Sequence, residues 1–99
     1  MSRNRLEYHQ GAIADAKSAV AWYKKHSPKA ASDFIEELRQ AAETILAMPD
    51  LWPPGKNNTR RFLLWRFPFS VIYTLQESVA TIWAVAHGSR RPEYWRDRL

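Results

Sequence analysis

Cysteine is absent from this chain, and glycine occurs only three times in 99 residues. Without thiols there can be no disulfides, no thiolate metal sites and no cysteine nucleophile. Neither a Gly-rich phosphate loop nor a GxSxG elbow is present, and no pair of carboxylates falls on an expected loop, so hydrolase and nucleotide-dependent chemistries lack their usual residues. No apolar run approaches the roughly 20 residues that span a bilayer, because Arg, Lys, Asp or Glu interrupts every candidate. The opening MSRNRLEYHQ is charged with no apolar stretch behind it, so the expectation is a cytoplasmic protein with no membrane partner rather than a secreted one. His9 and His26 are far apart and lack ligand spacing, so neither a metal nor a cofactor is expected.

What is present is ordinary globular material, 45% hydrophobic and 25% charged, in an amount that predicts one domain over residues 1–99. Fifteen Lys and Arg against ten Asp and Glu give a net charge of +5. A surplus of that sign favours an anionic partner, either nucleic acid or an acidic protein.

Hydrophobic spacing gives the element order. Leu6 to His9 is long enough only for an edge strand, and Gly11 is expected to break it. From Ala12 to His26 the apolar residues Ile13, Ala16, Val20 and Tyr23 recur at helical spacing, with Asp15, Lys17 and Lys24 turned away. Ser27-Pro28 then reads as an N-cap followed by a first helical position, where proline has no amide hydrogen to lose. A second helix carries Ala31, Phe34, Ile35, Leu38, Ala42 and Ile45 on one stripe and stops at Met48-Pro49. The stretch DLWPPGKNN is turn material. After it come three strands, over Thr59 to Trp65, Phe67 to Leu75 and Val79 to Ala86, the last apolar on both faces as a central strand requires. Pro68 cannot donate to a ladder and belongs near a strand's start or on an edge. The expected fold is therefore α+β in the order β-α-α-β-β-β, an antiparallel sheet with a helical hairpin packed on one face.

The second half concentrates basic residues: Lys56, Arg60, Arg61, Arg66, Arg90, Arg91, Arg96 and Arg98. Adjacent strands would bring many of them to neighbouring ends of the sheet, and guanidinium forks suit phosphate or carboxylate. His87, at the end of the central strand, fits either a general acid or base or a turn-shaping hydrogen bond. Tyr94 and Trp95 would stack on bases or fold back to seal the open sheet face. Trp22, Trp52, Trp65 and Trp83 read as core or core margin.

Two stretches resemble a known family. RRFLLWRFPFSVIYTL, residues 60–75, is similar to its arginine, then Phe-Pro-Tyr/Phe, then Ile-Tyr strand pair; IWAVAHGSRRPEYWRDR, 82–98, is similar to its Ala-Val-x-His-x-x-Arg-x-Pro-x-Tyr-Trp ending. Together they resemble toxins of the RelE/ParE superfamily from bacterial type II toxin-antitoxin modules. The resemblance implies a cognate antitoxin with an acidic toxin-binding tail, and contact with operator DNA only through the antitoxin complex. It implies one of two activities. ParE-like toxins inhibit DNA gyrase without catalytic residues of their own; RelE-like toxins cut messenger RNA on the ribosome. RNA-cutting relatives usually carry a basic residue after the aromatic of the third strand, where this chain has Ser70 after Phe69, and spaced basic residues in the strand before, where Arg61 is followed by Phe62, Leu63, Leu64 and Trp65. The chain therefore looks closer to the ParE branch. On that reading Arg60, Arg61, Arg66, Arg90, Arg91, Tyr94, Trp95, Arg96 and Arg98 are target- or antitoxin-binding. On the nuclease reading Arg61, His87, Arg90 and Tyr94 form a reduced active site. A non-toxic, basic nucleic-acid-binding module is a third reading of the charge alone.

Overall fold

The computed structural model describes residues 4–99. Its elements are β1 (Arg5–Tyr8), α1 (Gln10–His26), α2 (Pro28–Ala47), β2 (Arg60–Leu63), β3 (Phe69–Gln76) and β4 (Val79–His87), with 3₁₀ turns at Lys56–Asn58 and Arg96–Arg98. The order is the expected one, and both helices pack on one face of a four-stranded sheet arranged β1-β4-β3-β2.

The sheet is mixed rather than antiparallel. β2 with β3 and β3 with β4 form the expected antiparallel meander, but β1 pairs with β4 in parallel, Arg5 opposite Val79 and Tyr8 opposite Ile82. The cause lies in the direction of α1. The His9 amide still donates to Ile82 O, Asp15 then accepts from the Val85 amide, and Tyr23 reaches Phe69 beside the end of β4. The first helix thus runs on in the direction of β1 instead of doubling back. α2 returns the chain to the starting end, where Asn4 donates to Leu46 O, so β2 and hence β4 run the same way as β1.

Gly11 does not break a strand but sits in the first turn of α1, which His9 caps by accepting the Gly11 amide at Nδ1, 2.9 Å. The helical link behaves as its residues dictate: Ser27 accepts the Ala30 amide at 3.2 Å and Pro28 takes the first helical position. Pro68 lies just ahead of β3, where its missing amide is not needed and its carbonyl accepts from Gly88.

Strand alternation divides the side chains between two cores. On the helix side Val71, Tyr73, Ile82 and Val85 join Ala12, Ala19, Phe34 and Ile45. The fully buried Tyr73 donates its hydroxyl to Pro49 O at 2.7 Å, so the end of α2 is tied to the middle of the sheet. On the opposite face Ile72, Ala84 and Ala86 pack with Trp95. The register shifts between Ile72 and Tyr73, leaving Trp83 as the extra residue of a bulge; its indole donates to Thr74 Oγ1 at 2.8 Å.

Two tryptophans expected near the core are outside it. Trp65 is 88% exposed because the β2–β3 turn buries Leu64 instead, while Glu37 of α2 accepts the Trp65 and Arg66 amides and holds the turn with the indole outward. Trp22 is 57% exposed because α1 overruns the end of the sheet.

Ser27→Ala removes the cap that separates the two helices. The expected loss is about 1 kcal/mol, read as a fall of roughly 4–8 °C in thermal melting for a chain of this size.

Candidate functional site

The C-terminal segment leaves β4 at His87 and folds back over the open face of the sheet. Trp95 drops into the gap above Ile72, Ala84 and Ala86, only 3% exposed. Glu93, with a left-handed φ of 57°, turns the chain toward the sheet, and its carboxylate is held below its ordinary pKa first by Arg96 and then by Lys56.

One carboxylate fastens this segment to the rest of the molecule. Asp15, on α1, accepts at Oδ2 from the Val85 amide at 3.1 Å, from the Tyr94 hydroxyl at 2.9 Å and from Arg98 Nη1 at 2.8 Å; Oδ1 accepts from Arg98 Nη2 at 3.2 Å. Arg98 also donates to Trp83 O at 2.9 Å. The position beside β4 is open because β1 ends opposite Ile82, so the Val85 amide has no strand partner there and would otherwise be an orphan. The sequence expectation that Asp15 turns away is therefore wrong. Its spacing from Ala12, Ala19 and Trp22 places it on the sheet-facing side of α1, and small residues at 12 and 19 were the available signal. Gly11 belongs to the same arrangement, since a Cβ there would lie 2.6 Å from Arg98 Nε.

Two guanidinium groups lie over the Tyr94 ring, Arg90 3.8 Å and Arg98 5.2 Å from its centroid. Burial, and then the hydrogen bond to Asp15, push its phenol up to about 12. It is a fixed donor at neutral pH.

The basic residues anticipated as one surface divide into several groups. Arg66 pairs with Asp33 and Glu37, Arg96 with Glu93, and Arg98 with Asp15. Arg60 donates to Trp52 O and Arg61 to Ser70 Oγ. Trp95 is in the second core, so of its two anticipated roles it takes the sealing one. Among the described residues Arg90 and Arg91 are exposed and have no carboxylate partner. The four residues of the nuclease reading are not gathered. Arg90 lies over Tyr94 and shares a cleft with His87, but Arg61, opposite Ile72 on β2, is on the tail-covered face and so away from His87, since Ser70 and Phe69 alternate and it is Phe69 that meets His87. His87 Nδ1 accepts the Ser89 amide at 2.9 Å, the turn-shaping role.

Two depressions flank α1. Toward α2, a groove of ≈ 570 Å³ is lined by Tyr8, Ala16, Val20, Ile35 and Leu38 and rimmed by Lys17, Lys24 and Arg39. On the other flank, a cleft of ≈ 490 Å³ lies between Trp22 and Tyr23 of the helix and Phe69, His87, Ser89 and Arg90.

Comparison with known families matches residues 6–92 to the family described as ParE toxin of type II toxin-antitoxin system, parDE. The chain belongs to the ParE toxin family. Among solved structures it is similar to a chain from the chromosomal ParDE toxin-antitoxin system of P. aeruginosa, at 18% identity and a TM-score of 0.74, covering 86% of this chain and 96% of that one. It is also similar to the isolated E. coli RelE toxin, at 14% identity and a TM-score of 0.60, covering 96% of this chain and 95% of that one. The curated proteins contain no match. At these identities the structural likeness concerns the fold, and this ParE-family chain has that fold with Asp15 at the junction of its helix, sheet and tail.

Asp15→Asn weakens both charge and acceptor at this junction. In a spectrophotometric titration the Tyr94 phenol is expected to fall from about 12 toward the ordinary 10.0 without reaching it, because burial is the larger cause. The raised folded value means Tyr94 contributes stability that is fully present below 10.0 and lost as pH rises through about 12. The variant is expected to show less of that alkaline loss. Asp15→Ala, which strands Arg98, is expected to cost about 3 kcal/mol in denaturant unfolding.

Proposed function

We propose that this ParE-family chain is the toxin of a toxin-antitoxin pair, acts in the cytoplasm by inhibiting DNA gyrase, and is neutralised by a cognate antitoxin with an acidic toxin-binding segment. The observation that carries the gyrase reading is the state of the four residues a nuclease would need. Cleavage through a ribose 2′-hydroxyl requires a base at the nucleophile and donors around the phosphate. Here Tyr94 is a proton donor locked onto Asp15, His87 Nδ1 is occupied by Ser89, and Arg61, bonded to Ser70, is on the face of the sheet away from His87. What the tail offers instead is a pair of uncommitted arginines on a fixed scaffold, which suits docking.

The antitoxin reading is supported by the groove between the helices. Its floor is apolar, while Lys17 and Lys24, about two helical turns apart on its rim, have no carboxylate partner among the described residues. An amphipathic segment with acidic flanks complements such a surface, and the net charge of +5 favours its approach. No helix among the described residues is long and apolar enough to cross a membrane.

Induced expression of the chain alone is expected to arrest growth and raise double-strand DNA breaks with transcripts intact; cleaved transcripts with intact DNA would establish the nuclease reading instead. Arg90→Ala with Arg91→Ala is expected to abolish the arrest while the protein still melts cooperatively, since the lost stacking on Tyr94 is worth only about 0.5–1 kcal/mol.

A further inference from the structure

We infer that the flank of α1 turned away from α2 is a second docking surface, occupied by a segment of the gyrase protein that sets an acidic side chain beside an apolar one. The inference rests on the gyrase reading above and assigns its contact to Trp22 and Arg90.

Trp22 is the starting point. Its ring is stacked on His26 at 4.0 Å and meets Tyr23 edge-on at 5.2 Å, so it is held in place while 57% of the residue stays in water. Nothing in the two cores uses it. The cleft of ≈ 490 Å³ begins at this ring and ends at Arg90. A smaller depression of ≈ 210 Å³, lined by Asp15 and Ser18, continues it along the helix and shares Ala19, Phe69, His87 and Arg90.

Charge identifies the occupant. Asp15 is the one carboxylate lining either depression, and its oxygens are taken up by Val85, Tyr94 and Arg98. The uncommitted charge is that of Arg90, with Arg91 next in sequence, so the cleft selects an anion. Arg90 sits over the Tyr94 ring, 3.8 Å from its centroid, and this contact orders it in advance and lowers the entropy lost on binding. Tryptophan, tyrosine and arginine around an apolar floor are the residues that dominate protein–protein contacts. A nucleic-acid strand binds instead through several phosphates, each needing its own cation, and a single guanidinium lines this cleft. A second copy of a +5 chain is repelled.

The test uses the full chain immobilised and purified DNA gyrase in solution. Trp22→Gln and Arg90→Glu are each expected to weaken capture about 30-fold, the size of a single interface hot spot, with cooperative melting retained. If Trp22→Gln fails to fold, Arg90→Glu, at an exposed residue, decides. Capture unchanged in the variants overturns this surface and leaves the gyrase reading standing. No capture by the unaltered chain overturns both. Tight binding of a short single-stranded RNA or DNA that Trp22→Gln abolishes makes the cleft a nucleic-acid site, and self-association lost in the variants makes it a contact between copies; either result overturns the protein occupant.

Discussion

The carboxylate of Asp15 is the constraint on which the C-terminal end of this molecule depends. It accepts from a helix-facing strand amide, a tail hydroxyl and a tail guanidinium, groups separated from it by 70, 79 and 83 positions in the chain. A partly buried ion pair such as Asp15–Arg98 by itself adds little net stability, because desolvation offsets most of the attraction. Here the same oxygens satisfy an otherwise orphaned strand amide and orient Tyr94, so the pair contributes specificity of arrangement. Arg90 stacks on the tyrosine it fixes, and Trp95 is thereby held over the exposed side of the sheet.

The direction of α1 explains why that carboxylate is where it is. Because the helix continues the path of β1, it takes over as the lateral neighbour of β4 where β1 stops. The same overrun carries Trp22 beyond the end of the sheet and leaves it in solvent. Parallel pairing of β1 with β4, the placement of Asp15 and the exposure of Trp22 are thus consequences of one geometric choice.

The elements were legible from spacing, and the helical junction was legible from Ser27-Pro28, because local chemistry decides both. Strand direction was not, since it depends on where the helical hairpin delivers the chain rather than on any residue in a strand. Asp15 was misassigned because it is charged in a pattern whose other charged members face water; only the register against Ala12 and Ala19 distinguishes it. Gly11 was read as a breaker, although its small size answers a guanidinium from the opposite terminus. The arginines were visible as a group, yet composition could not tell Arg66, Arg96 and Arg98, which have internal partners, from Arg90 and Arg91, which do not.

On the proposed function the two flanks of one helix would take different partners, a lysine-rimmed apolar groove on one side and an aromatic, arginine-ended cleft on the other. The most direct measurement is DNA supercoiling by purified gyrase with the purified chain and with its Asp15→Asn variant. The unaltered chain is expected to block supercoiling and accumulate cleaved DNA, and the folded variant to be markedly weaker because its tail no longer holds Arg90 in place. Gyrase turnover indifferent to the chain, or a variant as potent as the original, would contradict this expectation.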